Sequence, residues 1–453
     1  MTMTAVFTRL LAGSLLAATS LMFSLPAQAL PSYARQTGEE CSACHVGGFG
    51  PQLTPHGIRF KVGGYSDSDG KDGHVPLSAM LVANSAGLRK GSPDLGADND
   101  VKDNHNISAQ EISAFLAGRF APGLGSFAQV TYSGIEHKTS IDNVDIRYAH
   151  ELDLGGQGAT IGLSLNNNPT VQDPFNTLPA WRFPYTSPDL APSGEAAPLI
   201  DGGLEQAVYG TTGYLSMDNG LYAELGVYNQ INRRTLDHLN VEPDSVLDNS
   251  APYARLAYHR DLHDQAFSLG LVGLDGKMRE AGSSSGARTN DFYDTGVDAS
   301  YQFLGTRRHI FTLDTSFIRE RQRRTLAHDN GEADQVSGRL NQFNLGGSYY
   351  FDKTYGLSAR LFDTRGTADS LYYSDGYLNG SPNTRGYTLQ ADWSPLSKSA
   401  PFGTWLNFRV GVQYTGYDRF NGASRNEVIA MPSGDLRSPS DNNTLSFFFW
   451  GAY

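Results

Sequence analysis

The chain has 453 residues, a formal net charge of −12, 50 glycines, 23 tyrosines and 23 phenylalanines, but only 39% hydrophobic residues and two cysteines. The acidic balance argues against binding nucleic acid, and two cysteines leave no material for a disulfide framework or a four-thiolate zinc site. Beyond residue 29 no apolar run reaches the length of a transmembrane helix, which excludes a helical membrane protein.

Residues 1–29 read as a secretory signal: Arg9 in a short n-region, an apolar stretch from Leu10 to Leu25, and Ala27-Gln28-Ala29 before Leu30. The mature chain then starts at Leu30. Residues 41–45 are Cys-Ser-Ala-Cys-His, the attachment pattern of a c-type haem. Two thiols three positions apart each reach one vinyl group of the same porphyrin, and the histidine after the second thiol swings under the ring to ligate the iron. A redox dithiol would account for the cysteines but gives no reason for the histidine. Haem of this type is attached after export, so signal and motif agree. The expected cofactor is one covalent haem c on Cys41 and Cys44, with His45 as proximal ligand. The distal position is open among Met80, His56 and His74, or no protein ligand at all. Met80 has the alternative role of a packing or lipid-facing residue. Asp67 to Gly73 resembles part of a calcium loop, but the register fails at both ends, and a solvated turn is expected instead.

From about residue 75 the pattern changes to period two, the signature of strands. Sixteen are expected, at 75–86, 107–120, 126–136, 144–154, 159–168, 205–217, 221–230, 251–262, 265–279, 292–304, 309–322, 338–351, 355–366, 384–395, 404–418 and 444–453. Leu406, Phe408, Val410, Val412 and Tyr414 share one face of their strand, against Asn407, Arg409, Gln413 and Thr415. Charged residues on the inner face invert the order of a soluble sandwich and suit a membrane barrel, apolar outside and polar within. The last strand ends on an aromatic, Tyr453, with Leu445, Phe447 and Phe449 on its face; a buried last strand of a soluble domain is the plainer alternative. Connections alternate between short turns and long polar loops, which puts both chain ends on the periplasmic side. The longest loop, about 169–204, carries Trp181, Phe183 and Tyr185 and is expected to fold into the lumen. Arg319, Arg321, Arg323 and Arg324 are expected at the outer rim, solvated or against lipid phosphates.

Tyr33 to Gly38, Cys41 to His45, Pro51 to Pro55 and Gly57-Ile58-Arg59-Phe60-Lys61 resemble the N-terminal signature of the fused monohaem cytochrome–porins, whose best-known members are outer-membrane iron oxidases of iron-oxidising bacteria. The likeness is close over 31–65 and extends to the barrel only in length and pattern. Val46-Gly47-Gly48-Phe49-Gly50 departs from it, being richer in glycine than the link expected there. The resemblance implies an all-β, 16-stranded antiparallel outer-membrane barrel (75–453) preceded by a small, mostly helical c-type cytochrome plug (30–74). It favours Met80 as distal ligand, with His56 the alternative. It further implies an Fe(II)-oxidising cytochrome that takes electrons from an extracellular donor, Fe(II) above all, and passes them to a periplasmic cytochrome or copper protein. A haem-bearing porin for solute passage, and the same conduit run outward to external acceptors, are the alternatives.

Overall fold

The computed structural model describes residues 30–453 apart from 72, 94–100, 195, 285, 375, 399–405 and 432–433; the signal read at 1–29 and the start of the strand read at 404 lie outside the described residues. Sixteen long strands form the wall: β1 Leu77–Leu88, β2 Asn106–Ala121, β3 Leu124–Ser133, β4 Lys138–Asp153, β5 Gly158–Asn166, β6 Val208–Met217, β7 Leu221–Gln230, β8 Ala251–Asp261, β9 Gln265–Glu280, β10 Asn290–Phe303, β11 His309–Arg323, β12 Ser337–Phe351, β13 Tyr355–Gly366, β14 Thr384–Trp393, β15 Asn407–Phe420 and β16 Thr444–Ala452. Each pairs antiparallel with its neighbours in sequence. The sheet closes where β1 meets β16, from Met80 opposite Ala452 to Leu88 opposite Thr444, so no edge is left with unpaired backbone groups.

The strand ends match the sequence reading to within three residues except at β4, which begins six residues earlier. Its polar start, Lys138 to Asn143, looks like loop in sequence but pairs with β3 from Ser133 opposite Lys138 onward. That leaves a turn of four residues, 134–137, at the end of the barrel that otherwise carries the long connections.

Alternate residues point outward and are apolar. Leu163, Leu225, Leu269, Leu357 and Phe447 are all more than half exposed, a surface that is stable in lipid and not in water. Arg319, Arg321 and Arg323 follow the same outward parity on β11. Arg324 departs from the expected rim: it turns inward, fully buried, and pairs with Asp369 at 3.2 Å.

The inner face carries buried ion pairs and, where the loop packs on it, apolar side chains. Arg147 pairs with Asp145 at 2.8 Å. Arg255 pairs with Asp298 on β10 at 2.9 Å and with Asp173 of the loop 167–207 at 3.0 Å. Removing one member of such a buried set strands a charge, at a cost of about 3–5 kcal/mol. The same loop packs Leu178, Leu199, Ile200 and Leu204 on inward-facing Tyr228, Tyr253, Val272 and Leu274. Its Leu199 and Ile200 N–H groups donate to Glu320 and Asp294 of the wall, and Gln413 on β15 donates to the carbonyl of Thr186. The loop therefore crosses the lumen, as its apolar cluster led us to expect.

The N-terminal segment lies inside the barrel too. It has three short helices, α1 Pro31–Thr37, α2 Cys41–Cys44 and α3 Pro55–Val62. Less than half of residues 30–74 is therefore helical, rather than most of it, and the wall begins at Leu77 rather than 75. Proline at the first turn and a left-handed Gly38 bound α1. Thr54 caps α3 by accepting the N–H of Gly57. Between them Gly47 and Gly48 adopt positive φ against the wall, where a Cβ would fall 2.3 Å from the Tyr350 ring and 2.2 Å from the Ser397 Cβ. The glycine richness of 46–50 is thus close approach to the barrel, not slack. Gln302 donates to the Leu53 carbonyl, Tyr214 to that of Val62 and Arg409 to that of Phe49. Polar lumen side chains satisfy the irregular backbone of the segment they enclose.

Candidate functional site

The N-terminal segment, the loop 167–207 and the wall enclose a cavity of about 430 Å³, within the range of cofactor sites. Cys41, Cys44 and His45 line it from one side and Met80 from the wall. The single turn of α2 sets the motif's geometry: the His45 N–H donates to the Cys41 carbonyl at 2.8 Å, so His45 leaves the turn just past both thiols. A bridge from His45 to Leu53 and a hydrogen bond from the Thr54 N–H to the Cys44 carbonyl hold α2 against α3. Gly57 permits the approach, since a Cβ there would sit 2.3 Å from the Cys44 carbonyl oxygen.

Burial pushes the Cys44 thiol up to about 12, with Glu39 adding to the effect. A redox dithiol needs the opposite shift. Burial pushes His45 down to about 4, with the nearby Arg409 charge acting the same way and the Gly50 backbone opposing. The ring is therefore neutral, as a metal ligand must be, and it lines the cavity. Its Nδ1 is buried with no hydrogen-bond partner among the described residues. Cys41 is buried, with Asn407 of β15 donating toward its sulfur at 3.4 Å. This donor set, in a cavity of this size, fits a c-type haem.

Of the candidates for the distal position only Met80 lines the cavity. It shares the inward parity of β1 with Ser78, Val82 and Asn84. His56 meets Glu39 at 2.6 Å and His74 meets Asp69 at 2.9 Å, both through Nε2. Glu39, Cys44 and His56 do bring one donor atom each within 4.8 Å of one another, with the His56 Nε2 already engaged by Glu39. Met80→Ala should remove any weak sulfur-to-iron band at long wavelength and lower the midpoint potential, since a thioether ligand raises it. An unchanged spectrum would return the assignment to His56.

Sequence reading missed several residues on the cavity. Phe49 packs edge-on against Trp450 at 4.7 Å, and the Trp450 Nε1 is a buried donor without acceptor among the described residues. Glu111 and Asp142 come from the wall, where Trp181 and Tyr185 of the loop, expected in the lumen, join them on the cavity. Lys61 lies 4.6 Å over the Trp181 ring, and burial, with the neighbouring Arg147 charge, pushes it down to about 7. The only signal for it was a lysine between Phe60 and Val62 on a short helix.

No protein-family model matches the chain, and no curated protein does. Among solved structures, OmpF of Salmonella typhi in complex with daunomycin is similar at 12% identity, covering 83% of this chain and 97% of its own, with a TM-score of 0.46. The anion-selective porin of Comamonas acidovorans is similar at 10% identity over 83% and 98%, TM-score 0.45. OmpT of Vibrio cholerae is similar at 9% over 83% and 96%, TM-score 0.42.

Proposed function

We propose that the chain is an outer-membrane electron conduit, a fused monohaem cytochrome–porin in which one haem c, held by Cys41, Cys44, His45 and Met80, takes electrons from extracellular Fe(II). A periplasmic cytochrome or copper protein receives them. The observation that carries this reading is that all four residues line one cavity inside a closed barrel. When bound, the haem supplies a one-electron couple: Fe(II) outside loses one electron, the carrier inside gains it, and no atom need cross.

The protein's own residues provide the rest. An apolar band of this kind is about 25 Å tall, too far for an electron to pass from outside to a haem beneath the barrel, so the cofactor has to sit within it. The N-terminal segment achieves this by hydrogen bonding to the inner wall. The loop 167–207 fills lumen above and beside it, which favours electron passage over the solute-passing alternative. Both described chain ends sit at the end of the barrel with the short turns, the periplasmic end in outer-membrane barrels. Bringing iron only to the outer rim keeps its insoluble oxidation product out of the cell.

Intact cells carrying the protein should reduce its haem with an impermeant Fe(II) chelate added outside. Reduction in periplasmic extracts but not in whole cells would overturn the geometry. Failure of iron in both, while another donor succeeds, would leave the architecture and remove the substrate.

A further inference from the structure

Two described basic side chains besides the neutral His45 line the cavity, Arg182 and Lys61. Arg182 is committed: it donates to Asp201 at 2.7 Å and to Gln342 at 2.9 Å. Lys61 is not. It is 4% exposed, and its ammonium donates at 2.8 Å to the Val171 carbonyl and at 2.8 Å to the Asn176 Oδ1. An ammonium has three N–H donors. The third has no hydrogen-bond acceptor among the described residues, where the ammonium otherwise meets only the face of the Trp181 ring at 4.6 Å, and no described carboxylate lies within ion-pair distance. A buried cation in this condition is costly unless something anionic completes it.

The other charges on the cavity restrict where an anion can go. Glu39 and Glu40 flank the cysteines and repel a carboxylate there, and the wall beside them offers the acidic side chains Glu111 and Asp142 rather than a cation. In a c-type haem the thioethers form on the vinyl edge and the two propionates project from the opposite edge. With the vinyl edge fixed at Cys41 and Cys44, beside two acidic residues, the propionates need a donor elsewhere on the cavity. Asn176 also donates to the Pro51 carbonyl at 2.7 Å, so the lysine's position is held jointly by the N-terminal segment and the loop.

We propose that Lys61 seats a carboxylate of the cavity's occupant, a haem propionate, and so fixes the orientation of the cofactor between segment and loop. This rests on the haem reading above. It makes Lys61 a positioning residue: it acts on the haem edge and not on the iron.

The test uses the full-length protein purified with its haem. Covalent haem staining on a denaturing gel first reports loading; no stain in the wild type overturns the haem reading and this seat with it. In stained protein, Lys61→Gln should shift the resonance Raman propionate bending mode and lower the midpoint potential, because a positive charge beside the ring is lost. Lys61→Arg should restore most of the potential. Asn176→Ala, which loosens the lysine without removing its charge, should shift the mode with little change in potential, and serves if Lys61→Gln does not fold. Stained Lys61→Gln protein with the wild-type mode and potential would overturn the seat, as would an unshifted mode in Asn176→Ala.

Discussion

Changing Cys41 and Cys44 together to alanine should remove all haem staining from the denatured protein and leave the folded barrel. The sulfurs are the only two in cysteine side chains of the chain, and both line the cavity, so no other thiol can substitute. The wall closes through backbone pairing between β1 and β16 and does not depend on the motif. Heat-modifiable gel mobility should therefore persist. His45→Ala should give a third outcome: stain retained, native spectrum lost. Stain that survives the double substitution would sink the attachment, and loss of the folded band would show that segment and wall fold as one unit.

Deleting residues 178–188 should raise ion conductance through the barrel severalfold. This stretch bears the loop's hold on the lumen. Leu178 anchors its apolar cluster, the Trp181 Nε1 donates to the Val171 carbonyl at 2.8 Å, and Arg182 reaches Gln342 on β12. Sixteen strands enclose an aqueous channel when nothing fills them. Haem staining should be spared, because Cys41 and Cys44 are untouched, while the rate of reduction by external Fe(II) should change. The measurement is single-channel conductance in planar bilayers. An unchanged conductance would mean that the N-terminal segment alone blocks the barrel, and the loop would lose its part in guarding the lumen.

The wall was legible because lipid inverts the usual pattern. Phe311, Leu313 and Phe317 face out and Thr312 and Ser316 face in, as period two requires whichever way the barrel is turned. The same parity puts Met80 inward, since it counts from Ser78 and Val82 on one strand. What the parity could not show is why some inward positions are apolar. Tyr228, Tyr253, Val272 and Leu274 break the polar lumen pattern, and the reason is a loop from elsewhere in the sequence. Arg324 follows the same logic: beside three outward arginines it reads as rim, and its burial rests on distant groups, Asp369 45 positions on and the rings of Tyr372 and Tyr373. His56 remained a candidate ligand in the sequence because Glu39, its partner, is 17 residues back on the far side of the motif. Lys61 stood in the N-terminal signature, but its role was hidden for a related reason: its environment comes from a loop more than a hundred residues away. Local periodicity reports faces, and the site is made where faces from distant segments meet.

The close seating of the attachment segment also sets an order of events in time. Cys41 is 4% exposed, and β15 lies over its sulfur through Asn407, which donates as well to the Gly48 carbonyl at 3.1 Å. The machinery that joins a vinyl group to a thiol has to reach that thiol, and in the finished molecule the wall stands in the way. On the haem reading, attachment therefore belongs to the exported chain before β15 and β16 zip against β1. Maturation then becomes a race between cofactor loading and membrane insertion, and slowing the first should accumulate closed barrels that can never be loaded.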